Sequence, residues 1–208
     1  MNLIKVRRNL MLHQNIFFFN ILHKDYFGDN NLLTDNFDSI YKIMLENLKD
    51  NYLKVASLPL NNFYSVIDYA ILILIINTKN YSISGKLMQR LNKKFSINLI
   101  KVASKKTLPI NMQLISQYLF DLIQLVGDDN IELFFNYLRQ KFALEVFGDN
   151  CHEAIRLRVP LRFDKHIIDN DNDSKISTIN NIFGLYSTQI KKTALFYSAN
   201  ILFPNYFK

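Results

Sequence analysis

The chain has 208 residues, 49% of them hydrophobic and 21% charged, which is enough apolar material for the core of a single domain. One Cys excludes an internal disulfide and fits a reducing compartment, while Gly 5 and Pro 4 are too few for a Gly-rich phosphate cradle and scarce enough to favour long helices. The net charge of +7 admits nucleic acid, an anionic membrane or an acidic protein as partner; because abundant Asn, Ile and Lys without Trp also follow from AT-rich coding, charge alone selects none of them.

The first acidic residue is Asp25, and Lys5, Arg7 and Arg8 precede an apolar stretch ending in Phe17, Phe18, Phe19, Asn20, Ile21 and Leu22. His13, Gln14 and Asn15 interrupt that stretch and no small-residue cleavage site follows, so a first helix within residues 1–30 is expected rather than a cleaved targeting segment. The polar run from Gly28 to Asn36 reads as a loop.

A repeated string organises the middle of the chain. Asn51 to Asn61 reads N-Y-L-K-V-A-S-L-P-L-N, and Asn98 to Asn111 repeats it as N-L-I-K-V-A-S-(K-K-T)-L-P-I-N, with Lys54 and Lys101 47 residues apart. Each copy follows an amphipathic helix: Ile40, Ile43, Met44 and Leu48 in one case, with Asp38 and Ser39 as cap candidates. In the other case the stripe is Leu87, Met88, Leu91 and Phe95, capped by Ser84. Each copy also precedes a helix: Phe63, Val66, Ile67, Ala70, Ile71, Leu74 and Ile75 in the first, Ile115, Tyr118, Leu119, Leu122, Ile123 and Val126 in the second. The string itself, short and β-branched, with Leu58 and Leu108 each before a Pro, reads as a short strand. Residues 38–126 are thus expected to form a duplicated helix–strand–helix core. Tyr69 to Ile76, the most apolar run, is its predicted centre and falls short of the ~20 residues a bilayer requires, so no transmembrane segment is expected.

Gly127 to Asn130 stops the second unit, and Ile131, Phe134, Phe135, Leu138 and Phe142 start another helix. Beyond it, Ile155, Leu157 and Val159 alternate with Arg156 and Arg158, which predicts a strand with one basic face ending at Pro160. Gly148, Asp149 and Asn150 are placed to turn it back onto Leu144 to Phe147 as a hairpin. Ser187 is the expected cap of a last helix carrying Ile190, Ala194, Tyr197 and Ile201, and the tail from Phe203 to Phe207 is aromatic enough to dock. The fold class expected is α+β, mainly α-helical: one domain over residues 1–208, with a helix, a β-hairpin and a C-terminal helix in residues 130–208.

Chemistry finds little purchase in the sequence. Asp169, Asp171 and Asp173 open like an EF-hand loop, but Ser174 replaces the turn Gly and Asn180 stands at the bidentate Glu position. Cys151, His152 and Glu153 are adjacent, which is poor geometry for a shared site, and His13, His23 and His166 are isolated. No catalytic residue, metal site or cofactor is expected, and the chain reads as a non-enzymatic protein.

The run Leu87-x3-Leu91-x3-Phe95-x-Ile97-x-Leu99, then Val102 and Leu108-Pro109-Ile110, resembles a signature of TssG, a baseplate wedge protein of bacterial type VI secretion systems. There a helix ends in an aromatic, continues as an alternating apolar strand and closes on Leu-Pro. The resemblance implies a cytoplasmic scaffold that pairs with other protein subunits of a large assembly. Leu58, Pro59, Leu60, Leu108, Pro109 and Ile110 are then natural docking candidates, joined by Arg156 and Arg158. The alternative is an RNA-binding subunit of a ribonucleoprotein such as an organellar ribosome; nucleic acid is possible but not favoured, because no paired aromatic and basic RNA signature accompanies the arginines.

Overall fold

The computed structural model describes residues 51–56, 58–77, 85–106, 108, 131–148, 151, 156, 159–163, 184 and 186–207. In chain order the described helices are α1 (Asn51–Ala56), α2 (Leu60–Asn77), α3 (Gly85–Lys94), α4 (Ile97–Lys105), α5 (Ile131–Phe147), α6 (Thr188–Leu202) and α7 (Pro204–Phe207), with a 3-10 turn at Val159–Arg162. The expected N-terminal helix, the helix preceding the first repeated string, the helix from Ile115 to Val126, and the acidic loop Asp169 to Ser174 lie outside the described residues.

Helix α2 is the axis. Every residue from Val66 to Ile76 is buried, so this part of the helix, apolar all round except at Asp68, is enclosed on every side. Helices α1, α4, α5 and α6 all pack against it, and α6 does so most extensively. Small residues on α6 allow that approach: Ala194, Ser198 and Ala199 are buried there, and the Ser198 hydroxyl donates to the Val66 carbonyl at 2.6 Å. By length and composition α2 could cross a membrane, but among the described residues it is buried by its own helices. The sequence correctly identifies it as the centre.

Two expectations of strand are overturned. Among the described residues there is none, and both copies of the repeated string are helical: Lys54, Val55 and Ala56 in α1, Lys101, Val102 and Ala103 in α4. Val disfavours a helix by only a few tenths of a kcal/mol, and the Leu, Lys and Ala around it favour one. In α4, Ser96 supplies the cap, its hydroxyl accepting from the Leu99 N–H at 3.3 Å, and Ile100 and Ala103 bury at helical spacing. The restriction that Pro imposes reaches only the residue before it. Leu58 accordingly lies between helices, and the Pro59 carbonyl accepts from Phe63 N–H at 2.8 Å to start α2. The strand that the baseplate resemblance implies through Ile97 and Leu99 is thereby helix as well. A shared helical state is the default of this chain, and the duplicated helix–strand–helix unit does not stand as described.

The hairpin fails for a similar reason. Leu144 to Phe147 is the last turn of α5, where Phe135, Leu138, Phe142, Ala143, Val146 and Phe147 bury at three- and four-residue spacing. Gly148 ends that helix rather than turning a hairpin: a Cβ there would lie 2.7 Å from the Leu144 carbonyl oxygen. Val159 belongs to a 3-10 turn, and Arg156 has helical backbone.

The expectations for the last long helix and the aromatic tail hold. Ser187 caps α6, its side chain accepting from Ile190 N–H at 3.3 Å, and the aromatic tail folds back so that Phe203 and Phe207 pack against the chain's own core. Tyr186, beside that cap, is buried, and burial pushes its hydroxyl above the ordinary tyrosine range.

Tyr69 carries a pH prediction. Its hydroxyl donates to the Leu99 carbonyl at 3.0 Å, and burial, with Tyr197 nearby, pushes its pKa from 10.0 up to about 12. A group raised on folding stabilises the folded state fully below its unfolded pKa, and that stability is lost as pH climbs towards the folded value. Urea unfolding midpoints are therefore expected to fall between pH 10 and pH 12. Tyr69→Phe should flatten that decline; an unchanged slope in the variant would remove Tyr69 as its source.

Candidate functional site

The interior of the helix array holds charge. Asp68 lies in the middle of α2 at 4% exposure, where an unpaired carboxylate would be prohibitively costly. Arg139 of α5 grips both its oxygens, Nε to Oδ1 at 2.7 Å and a terminal nitrogen to Oδ2 at 2.6 Å. Lys94, at the end of α3, reaches the same Oδ2 at 3.0 Å and also donates to both oxygens of the exposed Glu132 at 2.6 and 2.8 Å. The remaining arginine nitrogen donates to Asn136 Oδ1 at 2.8 Å. Aromatic faces complete the enclosure: the guanidinium stands 4.4 Å from the Tyr64 ring centroid, and the Lys94 ammonium 5.1 Å from that of Phe135. Three helices are registered by one carboxylate. With both Asp68 oxygens occupied and the group shielded, the arrangement acts as a clamp between helices.

A second clamp closes the Leu-Pro turn. Arg162, buried at the end of the 3-10 turn, donates to the carbonyls of Ala56 at 3.0 Å and Leu58 at 2.5 Å. These sit at the C-terminal end of α1, where helical carbonyls lack partners within the helix and a cation is favoured. Its guanidinium lies 4.4 Å from the Phe63 ring centroid, and the Tyr64 hydroxyl donates to the Arg162 carbonyl. A third buried cation, Lys191, pairs with Glu145 between α6 and α5.

The docking candidates fall in different environments. Leu58 is 4% exposed and part of the core, Pro59 and Leu108 are half-buried, and Leu60 is 44% exposed. Arg156 is exposed, while Pro109, Ile110 and Arg158 lie outside the described residues. A substitution at Leu58 therefore probes folding before it probes docking. Cys151 is half-buried, and its thiol lies 3.9 Å from the Val146 carbonyl. Among the described residues no cluster of His, Cys, Asp and Glu has the geometry to hold a metal.

Composition by segment carried a signal that the whole-chain charge concealed. From Tyr69 to Phe120 there is no Asp or Glu, while Lys79, Lys86, Arg90, Lys93, Lys94, Lys101, Lys105 and Lys106 fall within that span. In the structure Lys94 is bound into the Asp68 cluster, and the Lys106 ammonium sits 4.9 Å from the Tyr197 ring centroid. Lys93, Lys101 and Lys105 are exposed on α3 and α4. These three exposed cations of α3 and α4 are the strongest candidate for an interface among the described residues. No protein-family model, curated protein or solved structure matches the chain.

Proposed function

We propose that the chain is a non-enzymatic structural subunit of a large protein assembly. The observation that supports this reading is the division of its charge. Buried ionic groups on α2, α3, α5 and α6 join helix to helix, while Lys93, Lys101 and Lys105 of α3 and α4 remain exposed with no ion-pair partner among the described residues. A helical body that presents unpaired exposed cations is suited to positioning against a neighbour of opposite charge. The residue pattern from Leu87 to Ile110 that resembles TssG, taken without the strand it implied, suggests one such setting, a type VI secretion baseplate, in which the chain would pair with a larger wedge subunit.

Native mass spectrometry of the endogenous protein, released at low salt, tests the reading. The expected result is a stoichiometric complex with other protein subunits. A monomer under those conditions, or a complex whose added mass is RNA, would remove it.

A further inference from the structure

Helix α4 has an outward face that the core does not use. Ile97, Asn98, Lys101 and Lys105 are all exposed and fall within one sector of about 100° when wound at the helical period, with Ile100 and Ala103 buried away from it. Lys93 is exposed at the end of α3, just before the turn into α4. Among the described residues Lys93, Lys101 and Lys105 have no ion-pair partner. Ile97, at 62%, is more exposed than Leu60, the other large apolar side chain standing in solvent among the described residues.

We infer that this face docks on an acidic protein surface with an apolar hollow that receives Ile97. The inference rests on the assembly-subunit reading and gives the partner its chemistry. Charge complementarity requires an anionic surface, and the details of the face favour protein over nucleic acid. A phosphate backbone offers nothing to an exposed isoleucine at the start of the helix, whereas an apolar residue rimmed by charge is the ordinary anatomy of a protein interface. The N-terminus of α4, the natural seat for a phosphate, is already capped by Ser96. Among the residues whose side-chain burial is described, no aromatic ring stands exposed to stack a base, which single-stranded nucleic acid binding uses.

The test uses the full chain and two labelled probes followed by fluorescence anisotropy: a synthetic Glu-rich peptide with a central Leu, and a single-stranded poly(U) RNA. The peptide is expected to bind at low salt. Lys101→Glu combined with Lys105→Glu should weaken it about a hundredfold and Ile97→Ser about tenfold, with the helical circular dichroism of both variants unchanged. Lys101→Ala serves as the milder variant if the double reversal disturbs the fold. Absence of peptide binding, peptide binding that survives the lysine changes in folded protein, or RNA bound more tightly than peptide and indifferent to Ile97→Ser would overturn the assignment. Native mass spectrometry of the assembly carrying the charge-reversed chain separates the two levels. Loss of one neighbour supports the docking face; an unaltered complex leaves the subunit reading standing and removes the face; a wild-type monomer removes the reading itself.

Discussion

Arg139→Met is expected to lower the unfolding free energy by about 3–5 kcal/mol, the largest effect of any single substitution considered for this protein. The reason is what remains behind. Asp68 stays buried on α2, and Lys94 contacts only one of its oxygens while also serving Glu132. Asn136 loses the hydrogen bond from Arg139, and the Tyr64 ring loses its cation contact, at the same time. Changing both members of the pair, Asp68→Leu with Arg139→Met, removes the buried charges together, and the cost should shrink to near zero or reverse. Urea denaturation followed by circular dichroism gives all corners of this double-mutant cycle. Single variants that lose less than about 1 kcal/mol would mean that the pair is solvated and that the clamp does not govern helix register.

Arg162→Ala is expected to cost about 2–4 kcal/mol, and its effect should be local first. The guanidinium donates to two carbonyls, Ala56 and Leu58, and its removal takes a buried charged donor from both and uncovers the Phe63 ring. Arg162→Lys keeps the charge and loses the fork, so it should recover less than half of the loss. Hydrogen exchange is the discriminating measurement, because amides in α1 and at Leu58 should lose protection before those in the middle of α2. Uniform loss across the molecule would show that Arg162 supports the whole core and not the turn.

Of the two clamps, only that between Asp68 and Arg139 was within reach of the sequence. Asp68 is the sole charged residue between Leu60 and Asn77, set in the most apolar stretch of the chain, and Arg139 lies on the same helical stripe as Phe135, Leu138 and Phe142. A lone acid and a lone base, each on an otherwise apolar face, predict one another, since neither can be buried alone. That Arg139 and not another cation takes the place depends on which helices meet across α2. Arg162 left no such trace, because it sits in a short 3-10 turn with no periodic face. The acid-free span from Tyr69 to Phe120 was fully legible, and reading net charge over the whole chain averaged it away.

The sequence by itself determined that this protein is built on helices, that Tyr69 to Ile76 forms their axis, that Ser187 opens the last long helix, and that no internal disulfide is available. Those features are local or compositional: a run of apolar residues must be enclosed, and a serine hydroxyl finds the amide three residues on. Local preference only leaned towards helix in the two lysine-valine-alanine strings; tertiary structure decided that they coil instead of extending, that Leu144 to Phe147 completes α5, and that Asp68 meets Arg139 across 71 residues of chain. Over five or six residues an apolar string satisfies a two-residue and a 3.6-residue period almost equally well. The choice falls to whichever neighbour buries it, and in this molecule that neighbour is a helix enclosed on every side.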